Sequence, residues 1–188
     1  MDGGALVGNY LLYVVLPVWI AAGLADWGCH YASRIESTSG ARESLLHLLM
    51  LAEAGIAVLA GLFLAINALV LALMLALFLL HELTAYWDLR YAAPRRDVTP
   101  LEQRVHDYLG NMPFVALSMV VLLHWPQFLA LFGLGDAAPD FALRLKEPPL
   151  SARYVAALLV AIALFNGLPY LLELRRGLRA GCAPREAG

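Results

Sequence analysis

Between Leu48 and Leu80 the only polar side chains are Glu53 and Asn67. A bilayer core about 30 Å thick takes about 20 helical residues to cross, so this run is too long for one crossing and fits two. Asn67, near its middle, marks a tight hairpin between two antiparallel membrane helices. The run closes on a dense polar signature, His81-Glu82-Leu83-Thr84-Ala85-Tyr86-Trp87-Asp88-Leu89-Arg90. Folding at Asn67 therefore brings His47 and Glu53 on one helix to the same membrane face as His81 and Asp88 on the next.

The rest of the chain obeys the same solvent. With 61% hydrophobic residues and a mean hydropathy of +0.70 over 188 residues, it reads as an all-α integral membrane protein, one transmembrane domain over 1–188. A net charge of −2 offers no basic surface to nucleic acid. Cys29 and Cys182 form no CxxC pair, and no structural disulfide is expected. The N-terminus lacks the positive region of a secretory signal, so the first apolar run is expected to be a retained helix.

Five spans are predicted, at about 7–33, 43–66, 68–91, 101–125 and 151–176. Tyr10 and Tyr13 suit one interface and Trp27 and Tyr31 the other, and Pro17 is placed to kink the first span. Thr99-Pro100-Leu101-Glu102 reads as an N-cap with proline at the first helical position. The segment 126–150, with Gly133, Gly135, Pro139, Pro148 and Pro149, is too broken to span and reads as an interfacial excursion. Asn166-Gly167-Leu168-Pro169 marks a kink in the fifth helix. Five spans put the termini on opposite faces. One face carries Arg34, Arg42, Arg90, Arg95, Arg96, Arg104, Arg175, Arg176, Arg179 and Arg185, the other only Arg144, Lys146 and Arg153. Basic residues collect on the cytoplasmic side, which places the N-terminus outside and the C-terminus in the cytoplasm.

Counting along the helices at about 1.5 Å per residue, His30, His47, Asp88 and His106 lie within about 10 Å of the cytoplasmic face. Asp26, Glu53, His81 and Glu82 lie slightly deeper. Asp26/His30, Glu43/His47 and Glu102/His106 are i, i+4 pairs and His81/Asp88 is i, i+7, so each pair shares a helix face. A charge at mid-membrane costs about 2.5–3.5 kcal/mol on insertion scales, and histidines alone bring too little positive charge to balance these acids at neutral pH. Divalent cations supply the missing charge and accept both imidazole and carboxylate ligands. The expected metal ligands are Asp26, His30, His47, Glu53, His81, Asp88 and His106. Glu43, Glu82, Glu102 and Asp107 are expected behind them: Glu43 and Glu102 sit in first turns where acids favour the helix dipole, and Glu82 and Asp107 lie about 100° around the helix from their neighbours. His124 and the aromatics Tyr86, Trp87 and Tyr108 read as interfacial.

Carboxylate and histidine sets drawn from four helices resemble the dimetal-carboxylate bundles, without their Glu-x-x-His motif and without the His boxes of membrane desaturases. What that resemblance implies is a four-helix bundle of helices one to four around two divalent ions near the cytoplasmic face, iron first, zinc or manganese as alternatives. Thr99-Pro100-Leu101-Glu102-Gln103-Arg104-Val105-His106 followed by Met112-Pro113-Phe114 also resembles a small uncharacterised family of bacterial inner-membrane proteins, which implies a location and no activity. The function expected is a metal-dependent oxidoreductase acting on a lipid-soluble substrate, among membrane lipids and with a homo-oligomer open. A zinc hydrolase using Glu53 or Glu82 as general base, a b-type haem carrier and a metal or proton transporter are the alternatives. The nearly pure Leu, Ala, Val and Phe of the outer halves of helices two and three argue against transport.

Overall fold

A computed structural model describes residues 3–181; Arg185 and Cys182 lie outside them. Five helices are long and apolar enough to cross a membrane: α1 (Gly3–Ser33), α2 (Ala41–Phe63), α3 (Ala68–Ala92), α4 (Pro100–Leu123) and α6 (Ala152–Gly181), with a short α5 (Trp125–Leu131) in the excursion. Large apolar side chains such as Leu79, Leu83, Leu101, Phe114 and Leu122 point outward. A soluble surface rarely tolerates so much exposed hydrocarbon, whereas acyl chains are its natural neighbour.

The predicted turns have local causes. Asn67 caps α3 by accepting from the Val70 amide at 3.2 Å, and Thr99 caps α4 by accepting from Glu102 at 3.2 Å. Helix α2 ends at Phe63, three residues before the predicted boundary, because Leu64 turns extended and bridges to Leu145. The excursion stitches this hairpin end. Ala65 N–H donates to Arg144 O, Leu69 N–H to Asp140 O, Lys146 N–H to Phe63 O, and Ala68 N–H to Gln127 Oε1. Helix ends leave such groups without partners, and in a bilayer each must be satisfied by protein.

Two widened π turns interrupt the long helices, at Leu11–Val15 in α1 and Ala163–Gly167 in α6. Each contains the residue four before a proline, Tyr13 before Pro17 and Phe165 before Pro169. A proline ring clashes with that carbonyl and offers it no N–H, and the wider turn relieves both. The Tyr154 hydroxyl donates to the carbonyl of Leu12, five before Pro17, which the π-turn pattern leaves facing the proline's missing N–H.

The packing corrects the expected four-helix bundle. The five long helices close a ring in the order α1, α6, α2, α3, α4, with α6 inserted between α1 and α2. Leu16, Leu62 and Leu158, one from each of α1, α2 and α6, form one buried cluster at the apolar end. Small residues on the path of α6 admit it between α1 and α2. Gly23 of α1 faces Asn166, and a Cβ there would lie 2.2 Å from Asn166 Nδ2. Gly177 of α6 faces the start of α2, where a Cβ would lie 2.7 Å from the Ala41 nitrogen and 2.9 Å from its Cα. Backbone cannot swing aside as a side chain can. Gly177→Ala is therefore expected to lever α6 off α2 and cost about 1–3 kcal/mol, read as a lower midpoint in thermal unfolding in detergent. A midpoint within error of wild type would contradict this close packing.

Candidate metal centre

All five long helices send polar side chains to one end of the ring. From α1 come Asp26 and His30, from α2 Glu43 and His47, from α3 Asp88, and from α4 Glu102 and His106. Helix α6 adds Tyr170 and Glu173, and the loop after α3 adds Arg96. Of these, His30, Glu43, Glu102 and Glu173 are fully buried.

Glu173 stands at the middle. Its Oε2 lies 3.1 Å from His30 Nδ1 and its Oε1 3.1 Å from His47 Nδ1. The two imidazoles stack face to face, centroids 4.4 Å apart and planes within 10°. An ionised carboxylate only accepts, so each Nδ1 carries a proton and donates it. That leaves both Nε2 atoms on the other side. His30 Nε2 faces Glu102 Oε1 at 3.4 Å and Asp26 Oδ1 at 3.5 Å, and His106 Nε2 reaches the same Asp26 oxygen at 2.9 Å. His47 Nε2 faces Asp88 Oδ2 at 3.4 Å and Glu43 Oε1 at 3.9 Å. Tyr170 fixes the other oxygen of Asp26, its hydroxyl 3.1 Å from Oδ2.

Two sets of ligand atoms are close enough to hold an ion: Asp26, His30 and His106, and His30, Glu43 and His47. Asp88 Oδ1 and Glu102 Oε2 are buried without a hydrogen-bond partner, and Asp26 Oδ1, His30 Nε2 and Glu102 Oε1 have only ion-pair neighbours. Such atoms are costly in a low-dielectric interior, and they are the ones a cation would bind.

Charge is supplied in part by Arg96, whose side chain is 3% exposed. Its guanidinium meets Glu43 Oε1 at 2.6 Å and Glu102 Oε1 at 2.6 Å. Burial alone would lower its pKa; hydrogen bonds and charge from Glu43, and then from Glu102, outweigh burial and hold it above the ordinary guanidinium value. Five carboxylates against one guanidinium still leave the cluster anionic.

The structure sorts the sequence-predicted residues. Asp26, His30, His47, Asp88 and His106 come together as expected. Glu43 and Glu102, expected behind the ligands, face His47 and His30 directly. Glu53 and His81 form a separate, deeper pair, Glu53 Oε2 3.8 Å from His81 Nδ1, with Thr84 donating to Glu53 Oε1 at 2.8 Å. Glu53 lies six residues beyond His47, about 9 Å of helix, which separates it from the cluster. Glu82 is exposed and faces away. Asp107 is exposed and paired with Arg104 at 3.4 Å. Tyr86, Trp87 and Tyr108 point outward, and His124 bonds its own helix at Val120 O.

Sequence reasoning missed Arg96, Tyr170 and Glu173. The last two had a signal: Asn166, Tyr170, Glu173 and Gly177 fall at i, i+4, i+7 and i+11, one continuous helix face. Glu173→Gln keeps the size of the side chain but can accept at only one end, so it releases one imidazole orientation. Removing such an outer partner is expected to weaken metal binding by about 10–100-fold, measured by competition with a chelator dye; unchanged affinity would remove Glu173 from this role.

One cavity adjoins the cluster and a second lies deeper in the apolar region. One of about 290 Å³ touches Asp26, His47, His81, Asp88, Arg96, His106 and Tyr170 on its polar wall and Leu16, Trp19, Met50, Ala54 and Val58 on its apolar wall. The second, about 270 Å³, continues toward the excursion between Glu53 and His81 at one end and Lys146 at the other. Trp19, Ala54 and His81 line both. No family model, curated protein or solved structure matches this chain, and the chemistry of the centre is read from its own residues.

Proposed function

We propose that the chain is a membrane-embedded dimetal protein, an oxidoreductase of the iron type acting on a lipid-soluble substrate. It would sit in a bacterial inner membrane with the polar end of the ring toward the cytoplasm and the N-terminus outside. The observation that carries this reading is the position of Glu173. One carboxylate holds both His30 and His47 by Nδ1 and turns both Nε2 atoms toward carboxylates, the arrangement by which proteins orient metal-ligating histidines.

One ion would be held by His30, Asp26 and His106 with Glu102 beside them, and the other by His47 and Glu43 with His30 and Asp88 beside them. Iron in such a carboxylate-rich set supplies oxygen and electron-transfer chemistry. The surrounding residues have tasks of their own. Arg96 holds Glu43 and Glu102 in place and offsets part of their charge. Tyr170 keeps a proton beside Asp26, and His106, half-buried, stands on the accessible side of the cluster. The apolar wall of the adjoining cavity suits hydrocarbon and not a polar solute.

Other readings fare less well on the same geometry. The face-to-face stack of His30 and His47 at 4.4 Å leaves no room for a porphyrin between the rings. Of the two general bases a hydrolase would use, Glu82 faces outward. The test is oxygen uptake by iron-loaded protein in nanodiscs, with a chemical reductant and total membrane lipid extract. Uptake that needs iron, and that His30→Ala abolishes, is expected; uptake equal in both proteins would contradict the proposal.

A further inference from the structure

The second cavity has one cation at its outer end. Lys146 belongs to the excursion, is half-buried, and its ammonium donates to the Gly61 carbonyl. An ammonium has three donors, and no carboxylate lies within ion-pairing distance of this one among the described residues. Burial lowers its pKa, and a bound anion would offset that cost. From this amine the cavity runs inward between Leu62, Val58, Leu117 and Trp19 to the Glu53–His81 pair.

Its length fits one hydrocarbon chain. From Gly61 to Glu53 is eight residues, about 12 Å, and from Gly61 to His47 fourteen, about 21 Å. A single acyl chain spans one leaflet, about 15 Å. A chain anchored at Lys146 therefore ends beyond Glu53 and short of His47, past the stretch from Val58 to His81 where the two cavities share their lining.

We propose that the substrate is a long-chain fatty-acid anion, bound with its carboxylate at Lys146 and its distal carbons directed toward the metal centre. What happens at those carbons rests on the dimetal reading; the binding does not, since Lys146 and the cavity lie apart from every proposed ligand. The two therefore fail separately.

Trp19 lines both cavities and reports on the chain. Octadecanoate brominated at mid-chain should quench the tryptophan fluorescence saturably, and Trp19→Phe should remove that quenching. Lys146→Met should weaken binding by about tenfold or more, as for loss of a hydrogen bond to a charged group, with metal content unchanged. Lys146→Arg should restore it. The matching brominated fatty alcohol should bind wild type and Lys146→Met alike, which shows that the cavity itself is intact. Equal binding of octadecanoate to wild type and Lys146→Met would overturn the proposal. So would quenching of Trp19 by a brominated phosphatidylglycerol as strong as by the free acid. A protein that binds the acid as expected and holds no metal would overturn only the dimetal reading.

Discussion

His30→Ala should empty the centre of metal, while His81→Ala should leave it loaded. His30 touches everything: its Nδ1 meets Glu173, its Nε2 faces Asp26 and Glu102, and its ring lies on His47. Both sets of ligand atoms close enough to hold an ion include it. Its loss removes a ligand and also the support that aligns His47, so the two ions should fall together. His81 is the informative control. It is a histidine of the same membrane end, yet its one ion-pair partner among the described residues is Glu53, at 3.8 Å and deeper than the cluster. Elemental analysis of the two purified variants decides the matter. Equal metal content would return His81 to the centre, and metal retained in His30→Ala would remove the centre from this place.

Arg96→Met should be the most damaging substitution for stability. Arg96 is the only Lys or Arg paired with the cluster among the described residues, and its partners Glu43 and Glu102 are fully buried. Removing one member of a buried ion pair strands the other charge and costs about 3–5 kcal/mol. Here two carboxylates lose their partner at once. The metal-free variant should unfold at a markedly lower temperature than metal-free wild type. Added divalent ion should recover much of the difference, because a cation bound only to the folded state stabilises by mass action and supplies the charge that was removed. An Arg96→Met protein as stable as wild type without metal would show that Glu43 and Glu102 are neutral, and the electrostatic account of the cluster would fail with it.

Much of this architecture was legible in the residues because membrane solvent enforces simple rules. An apolar run of that length makes two helices long enough to cross, and the lone Asn67 within it turns the chain between them; the structure has both. The Thr99 cap, the broken excursion and the widened turn before Pro169 follow from side-chain chemistry within a few residues. The i, i+4 pairs found the right helix faces for Asp26, His30, His47 and His106, and the i, i+7 spacing found that of Asp88, though not the depth of its partner His81.

What stayed hidden depended on the order of helices around the ring. Nothing local says that α6 enters between α1 and α2, and that single fact brings Glu173 to the middle. Arg96 was counted among the basic residues that orient a membrane protein, for its burial comes from a loop folding back over Glu43 and Glu102. Glu43 and Glu102 were read as first-turn acids favouring the dipole, which holds for a helix standing alone but not for two helices facing one guanidinium. Glu53 and His81 share the right end of the membrane, but six residues of depth part Glu53 from His47. Face can be read from spacing; depth against another helix cannot.

The central claim is that cations sit among these buried acids and imidazoles, and counting the ions tests it most directly. Elemental analysis of protein purified without added chelator, with anomalous scattering at the iron and zinc edges, should find two ions per chain. One should lie beside His30, Asp26 and His106, the other beside His47, Asp88 and Glu43. A protein free of transition metal, whose unfolding temperature does not move when chelator or divalent ion is added, would contradict the account.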